Sequence, residues 1–150
     1  LLGQVQWGRL DGLLIDLPPG TGDVQLTLRQ KAEVTGAVIV STPQDIALLD
    51  ARKAVDMFHK TGTPVLGVVE NMSTHICSNC GHEEHIFGHG GAEKEAERIN
   101  VPFLGSIPLD MSIREAADGG APIVAAKPES PQAGAFKDIA EGLIRLGAAG

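Results

Sequence analysis

The sequence predicts an α/β domain in which a parallel β-sheet is flanked by helices. Three observations predict it. Four short apolar runs recur along the chain: Leu13-Leu14-Ile15, Ala37-Val38-Ile39-Val40, Val65-Leu66-Gly67-Val68-Val69 and Phe103-Leu104-Gly105-Ser106-Ile107. Short continuous runs rich in β-branched residues suit strands buried on both faces. Helical patterns separate the later runs, and strands joined by helices imply right-handed parallel crossovers. The first run ends on Asp16 and the turn Leu17-Pro18-Pro19-Gly20, and α/β sheets bind ligands beyond the carboxyl ends of their strands.

The first expected strand is Leu13–Ile15. After Asp23 the pattern is ambiguous: Val24, Leu26 and Leu28 alternate as in a strand, whereas the topology asks for a helix. The second strand, Ala37–Val40, leads into Thr42-Pro43-Gln44-Asp45, which puts a capping hydroxyl, a first-turn proline and an acid in helix-starting order. Leu48, Ala51, Val55 and Phe58 then repeat at helical spacing. The third strand is Val65–Val69, and the weaker run Phe103–Ile107 is the fourth. Ser112-Ile113-Arg114-Glu115 is read as a capping box. Ser130-Pro131 opens a last helix with Phe136, Ile139, Ala140 and Leu143 on one face, ending near Gly147. One segment, from Asn71 to Gly91, breaks the alternation.

Composition narrows the function classes. A chain of 150 residues is long enough for one cored domain. A formal net charge of -7 offers no basic footprint for nucleic acid or an anionic membrane. No apolar run is long enough to span a bilayer, and no secretory signal opens the chain. Two cysteines with only two residues between them do not form a secreted disulfide framework, so a reduced, cytoplasmic protein is expected.

Asp16, at the end of a buried strand, is placed to hold a water on Mg²⁺. Pro18 and Pro19 stiffen the turn, and Gly20 lets a bare backbone N–H approach a terminal phosphate. The plainer alternative is that Asp16 caps the turn and Gly20 relieves crowding. The phosphate cradle Gly-x-x-x-x-Gly-Lys-Ser/Thr is absent, since no Gly-Lys pair occurs in the chain.

Cys77-Ser78-Asn79-Cys80 puts two thiols on one short turn, with His75, His82, His85 and His89 nearby. Three chemistries compete. Two chains each supply two thiolates to a shared iron–sulfur cluster, because a cubane takes four cysteines. Alternatively, one chain closes a zinc site with Cys77, Cys80 and two histidines, His85 and His89 being the candidates. The third reading is a redox dithiol or no role, and the Gly81 that follows does not suit a helix-opening redox pair. His59, on an expected helix, is read as a solvated residue.

Together these blocks resemble the Mrp-type iron–sulfur cluster carrier ATPases, members of the deviant-Walker phosphate-loop group that includes the septum-site and partitioning ATPases. The resemblance runs from about Trp7 to Val124. It is carried by Trp7–Asp11, Leu14–Asp23, Ser41–Asp50, Gly67–Ser73, Cys77-x-x-Cys80-Gly81, Ile86–Gly91, Ile107–Asp110 and Ile113–Val124. It implies that Asp16 is the Mg²⁺-linked acid and Gly20, beside Pro19, the γ-phosphate sensor. Asn71 resembles the adenine-contacting residue. Pro108 and its neighbours, Asp110 included, resemble the other wall of the base pocket. Cys77 and Cys80 resemble the pair that bridges an iron–sulfur cluster across a homodimer, with zinc as a substitute in purified samples.

The resemblance places the family's phosphate loop and first strands upstream of Leu1. Residues 1–150 are therefore expected to form an incomplete P-loop NTPase-type sheet, with a Cys-x-x-Cys insertion at about 71–91. The expected full-length protein is a nucleotide-binding iron–sulfur carrier ATPase using ATP and Mg²⁺. It is expected to be a homodimer that serves apo iron–sulfur proteins and has no nucleic-acid or membrane partner; the 150 residues alone are expected to be hydrolytically incompetent and to cover their exposed sheet edges by dimerisation or strand exchange. The alternative is a zinc-stabilised binding or scaffold module without hydrolysis. A partitioning or septum-type ATPase is disfavoured by the cysteine pair and by a last helix that mixes Lys137, Asp138, Glu141 and Arg145.

Overall fold

The computed structural model describes residues 4–18, 23–77 and 79–148. Three of the four expected strands form a parallel sheet: β1 (Ala37–Ser41), β2 (Val65–Asn71) and β5 (Phe103–Ile107), in the order β1-β2-β5. The central strand β2 is buried from Gly67 to Glu70, as its unbroken apolar run requires. Ile39, Val68 and Phe103 are register partners and pack with Leu48, Ala51 and Val55 of α2 (Asp45–Lys60) and Ala92 and Ala96 of α3 (Gly91–Arg98). Val69 and Gly105 belong to the opposite face. There Ile139 of α6 (Pro131–Arg145) packs so closely that a Cβ on Gly105 would meet its Cγ1 at 3.1 Å. Helices therefore cover both faces, the expected α/β layering.

The expected strand at Leu13–Ile15 does not form. The segment carries neither strand nor helix, and Leu14 is 95% exposed. A strand requires a neighbour for its backbone ladder and layers against its faces; an apolar run alone supplies neither. Residues Asp23–Lys31 form helix α1, which resolves the ambiguous alternation there. A helix pairs its backbone groups within itself, so it forms where no strand lies alongside.

The helix starts differ in detail from the sequence expectation. Helix α2 begins at Asp45, with Gln44 as its cap residue, and the Thr42 hydroxyl donates to Gln44 Oε1 at 3.0 Å instead of capping the helix. Helix α4 (Met111–Asp118) is capped by Asp110, not by Ser112. Helix α6 starts as expected: Ser130 Oγ accepts from the Ala133 N–H at 3.1 Å, with Pro131 in the first turn. Its Ile139 is buried and Phe136 and Leu143 are half-buried, but Ala140 is exposed. Elements β3 (His75–Ile76), β4 (Glu83–Glu84), α3 and the short α5 (Ile123–Ala126) had no sequence expectation. The first two are too short for a periodic pattern, and α3 is mostly charged.

Helices α2 and α3 are joined by a bidentate ion pair from Arg52 Nε and Nη2 to the buried carboxylate of Glu95, with Arg98 Nε 3.4 Å from the same group. The Arg52 hydrogen bonds, opposed by burial, hold the Glu95 carboxyl below the usual carboxylate range. A depressed folded pKa means that the pair stabilises fully above the unfolded carboxylate value, about 4, and loses that contribution as pH falls through the lower folded value. Glu95→Gln is therefore expected to lower the thermal midpoint at pH 7 by more than Arg114→Ala, which removes an exposed pair with Asp118. In a series of melts against pH, the deficit of Glu95→Gln shrinks as pH drops below about 4. An equal deficit at pH 7 and pH 3 would contradict the assignment.

Candidate functional site

The carboxyl ends of β2 and β5 carry most of the described candidates. Asn71 ends β2, and its Oδ1 accepts from the N–H of Met72 at 2.9 Å. Met72 has φ 57°, a left-handed conformation that a non-glycine residue rarely adopts. This turn sends the chain across to the end of β5. Ser73 donates to the Ile107 carbonyl through both its N–H and its Oγ, each at 3.1 Å. The Leu109 N–H donates to the Thr74 carbonyl at 2.7 Å, and His75 Nδ1 lies 3.0 Å from the Leu109 carbonyl oxygen. A carbonyl only accepts, so Nδ1 carries the proton.

From His75 the chain enters the antiparallel hairpin β3–β4, with His75 opposite Glu84 and Ile76 opposite Glu83. The Cys77 N–H donates to the His82 carbonyl at 2.9 Å, and the Gly81 N–H to the Cys77 carbonyl at 2.8 Å. Gly81 takes φ 71°, a value open to glycine at little cost. Cys77 is half-buried, Cys80 is exposed, and both are free thiols. The N–H of Asn79, then that of Cys80 and the Cys80 thiol, pull the Cys77 thiol below its usual range, against burial and the Glu84 charge. Hydrogen bonds to sulfur favour the thiolate, which is the form that ligates metal.

The exposed rings of His85 and His89 lie 4.3 Å apart. Among the described residues no three His, Cys, Asp or Glu side chains come together as a metal site. The single-chain zinc set of Cys77, Cys80, His85 and His89 is therefore not assembled. His85 and His89 both follow the return strand β4, in the stretch that leads to α3.

A cavity of about 310 Å³ opens between these strand ends and the start of α3, lined by Glu70, Ser73, Thr74, His89, Ser106 and Pro108 among others. Of the expected base-pocket residues Pro108 lines this cavity, and Asn71 and Asp110 do not. The Asp110 carboxylate instead accepts from the N–H and hydroxyl of Ser112 at 2.7 and 2.6 Å and from Gln132 Nε2 at 2.8 Å. The Ser112 hydroxyl bond is the main cause that holds its carboxyl below the usual range, against burial. Asp110 therefore anchors α4 and links it to α6.

Asp16 is exposed on the segment without regular structure, and no hydrogen bond or ion pair joins it to the other candidates among the described residues. Pro19 and Gly20 lie outside the described residues. One residue that sequence reasoning passed over is Glu70, 2% exposed at the end of β2, whose Oε2 accepts from the Ala92 N–H at 2.8 Å. Its carboxylate sits at the positive end of α3. An acid next to the last position of an otherwise apolar strand is the available signal.

The family model for NUBPL iron-transfer P-loop NTPases, of the ParA group, matches residues 1–144. An iron-sulfur cluster carrier protein of Pseudomonas fragi is 61% identical over 140 residues, covering 93% of this chain and 49% of that protein. The mouse iron-sulfur cluster transfer protein NUBPL is 54% identical over 145 residues, covering 97% of this chain and 46% of that one. The chain thus spans about half the length of these curated relatives. Among solved structures, a nucleotide-binding protein of Archaeoglobus fulgidus in complex with ADP aligns with a TM-score of 0.70 at 49% identity, covering 79% of this chain and 49% of that one.

Proposed function

This chain belongs to the NUBPL iron-transfer P-loop NTPase family, and on that premise we propose that the intact protein is a nucleotide-binding iron–sulfur cluster carrier. The observation that carries the reading is the Cys77–Cys80 turn: two free thiols on a hydrogen-bonded loop, one of them biased toward thiolate. One chain offers two such ligands and a cubane takes four, so the cluster is cargo held between two copies of the protein and passed to apo iron–sulfur proteins. The absence of a third ligand group among the described residues supports a shared site over a closed site in one chain.

The nucleotide reading is supported by family membership and by a structural neighbour that is a nucleotide-binding protein in complex with ADP. We assign Asn71 and Pro108 to the base. Asp110 keeps the Pro108 loop in place through its grip on α4, so its part in nucleotide binding is indirect. Asp16 is assigned to a water on Mg²⁺, Pro19 to stiffening the turn, and Gly20 to donating its N–H to the terminal phosphate. Bound Mg²⁺ would neutralise phosphate charge as hydrolysis proceeds. The phosphate-gripping lysine loop is assigned to the part of the relatives that this chain does not span, which leaves these 150 residues without hydrolytic activity of their own. Free thiols fit a reducing, cytoplasmic setting. Among the described residues no helix is long and apolar enough to cross a membrane.

The test is metal stoichiometry in the full-length protein after anaerobic reconstitution. About four iron and four sulfide per two chains, with a native mass of a dimer, is the expected result. One zinc per chain in a monomer that takes up no iron would overturn the reading.

A further inference from the structure

The hairpin that carries the cysteines is tied down at both feet, to the end of β5 on one side and to β2 on the other. On its leading side, residues 73–75 and 107–109 are joined by four hydrogen bonds: two from Ser73 to Ile107, one from Leu109 to Thr74, and one from His75 to Leu109. On its trailing side, Glu70 holds the first turn of α3 through Ala92. Of the four leading-side bonds, two are backbone to backbone and one comes from the Ser73 hydroxyl, ahead of the β3 strand. The fourth comes from the His75 ring, two residues before Cys77 and on the β3 strand itself. Its acceptor, Leu109, follows Pro108, which lines the cavity.

We infer that His75 is a positioning residue that couples the cysteine turn to the Pro108 wall of the nucleotide pocket. Its Nδ1–H holds β3 against the 107–109 segment, so a shift of that segment on nucleotide binding is passed to the hairpin and alters how tightly the thiolates retain their cargo. Nothing else among the described residues links the β3 side chains to that wall: Ile76 is exposed, and Cys77 bonds to His82 within the hairpin. The inference rests on the carrier reading above, because it presumes nucleotide at Pro108 and a cluster at Cys77 and Cys80.

The experiment uses the reconstituted full-length dimer and follows the rate at which an iron chelator bleaches the cluster, with and without ATP and Mg²⁺. In the unsubstituted protein the two rates differ. In His75→Ala, loaded with the same iron per dimer, the ratio of the rates falls to one. In His75→Asn the ratio is restored, because Nδ2 of asparagine stands the same number of bonds from the backbone as Nδ1 of histidine and is also a donor. If His75→Ala fails to load a cluster while His75→Asn loads and responds, the positioning role is upheld. A wild-type ratio in His75→Ala, a ratio of one in the unsubstituted protein, or failure of both variants to load would each overturn it; the last outcome would make His75 a ligand. Absence of any cluster in the unsubstituted protein is a different result and strikes the carrier reading itself.

Discussion

Full-length protein carrying Cys77→Ala or Cys80→Ala is expected to lose its iron–sulfur absorbance completely, not by half. The reason is symmetry. A shared site takes two thiolates from each of two chains, so one substitution in the gene removes two of four ligands from every dimer, and a cubane is not held by the remaining two. The same substitutions remove little from the fold: Cys80 is exposed, and the bonds that shape the turn, from Cys77 N–H to His82 and from Gly81 N–H to Cys77, are made by backbone atoms. Thermal midpoints of the unloaded variants are therefore expected to stay close to that of the parent. His85→Ala and His89→Ala are expected to keep the absorbance, since both residues are exposed beyond the return strand and, among the described residues, form no metal-binding group with the thiols. Anaerobic reconstitution followed by visible spectra separates the cases. Loss of the signal in a histidine variant, or its survival in a cysteine variant, would remove the basis for a bridging four-cysteine site.

The second large effect concerns the fold. Gly67→Ala is expected to destabilise the domain by about 3 kcal/mol or more, well above the typical point substitution. Gly67 sits in the central strand at φ 158°, and a Cβ there would lie 2.6 Å from Leu104 Cγ and 2.7 Å from the backbone oxygen of Pro102. The leucine can rotate away; the carbonyl cannot, because it accepts the Val68 N–H at 2.8 Å. Relief would require opening the β2–β5 pairing. The register shows why the approach is so close: Ala37 pairs with Val65 and Val38 with Gly67, so Leu66 is an extra residue on β2, and Val68 pairs with Phe103 while Val69 pairs with Gly105, so Leu104 is extra on β5. Bulged strands bring backbone and side chains together at the glycine. Gly12, with nothing within 4 Å of its Cβ position, is the control. A denaturant midpoint for Gly67→Ala within error of that of Gly12→Ala would refute the account.

The legible parts of the fold share one property: their signal is complete within a few residues. The β-branched runs at Ala37–Val40 and Val65–Val69 became β1 and β2, and the spacing of Leu48, Ala51 and Val55 became the buried face of α2. The weaker run at Phe103–Ile107 became β5 because β2 was there to pair with it. Ser130-Pro131 also worked as read, because a cap is a bond between a residue and its near neighbours. Asp110 shows where that logic thins out. It and Ser112 are both good capping residues two positions apart, and the choice went to Asp110, which also receives the Gln132 side chain from α6.

By itself, then, the sequence determined the strand and helix runs, the order of the family's blocks, and the pair of thiols on one turn, because periodicity, turn chemistry and spacing are local properties of a chain. Only the tertiary structure decided that Leu13–Ile15 stays out of the sheet, that the Cys-bearing segment is a hairpin zipped to 107–109, and that Glu70 anchors α3 from the end of β2. It also decided that, among the described residues, Cys77, Cys80, His85 and His89 do not gather into one metal site. Each of these turns on whether a polar or apolar group finds a partner from a distant part of the chain. Burial and hydrogen-bond satisfaction between distant segments exist only once the segments have been brought together.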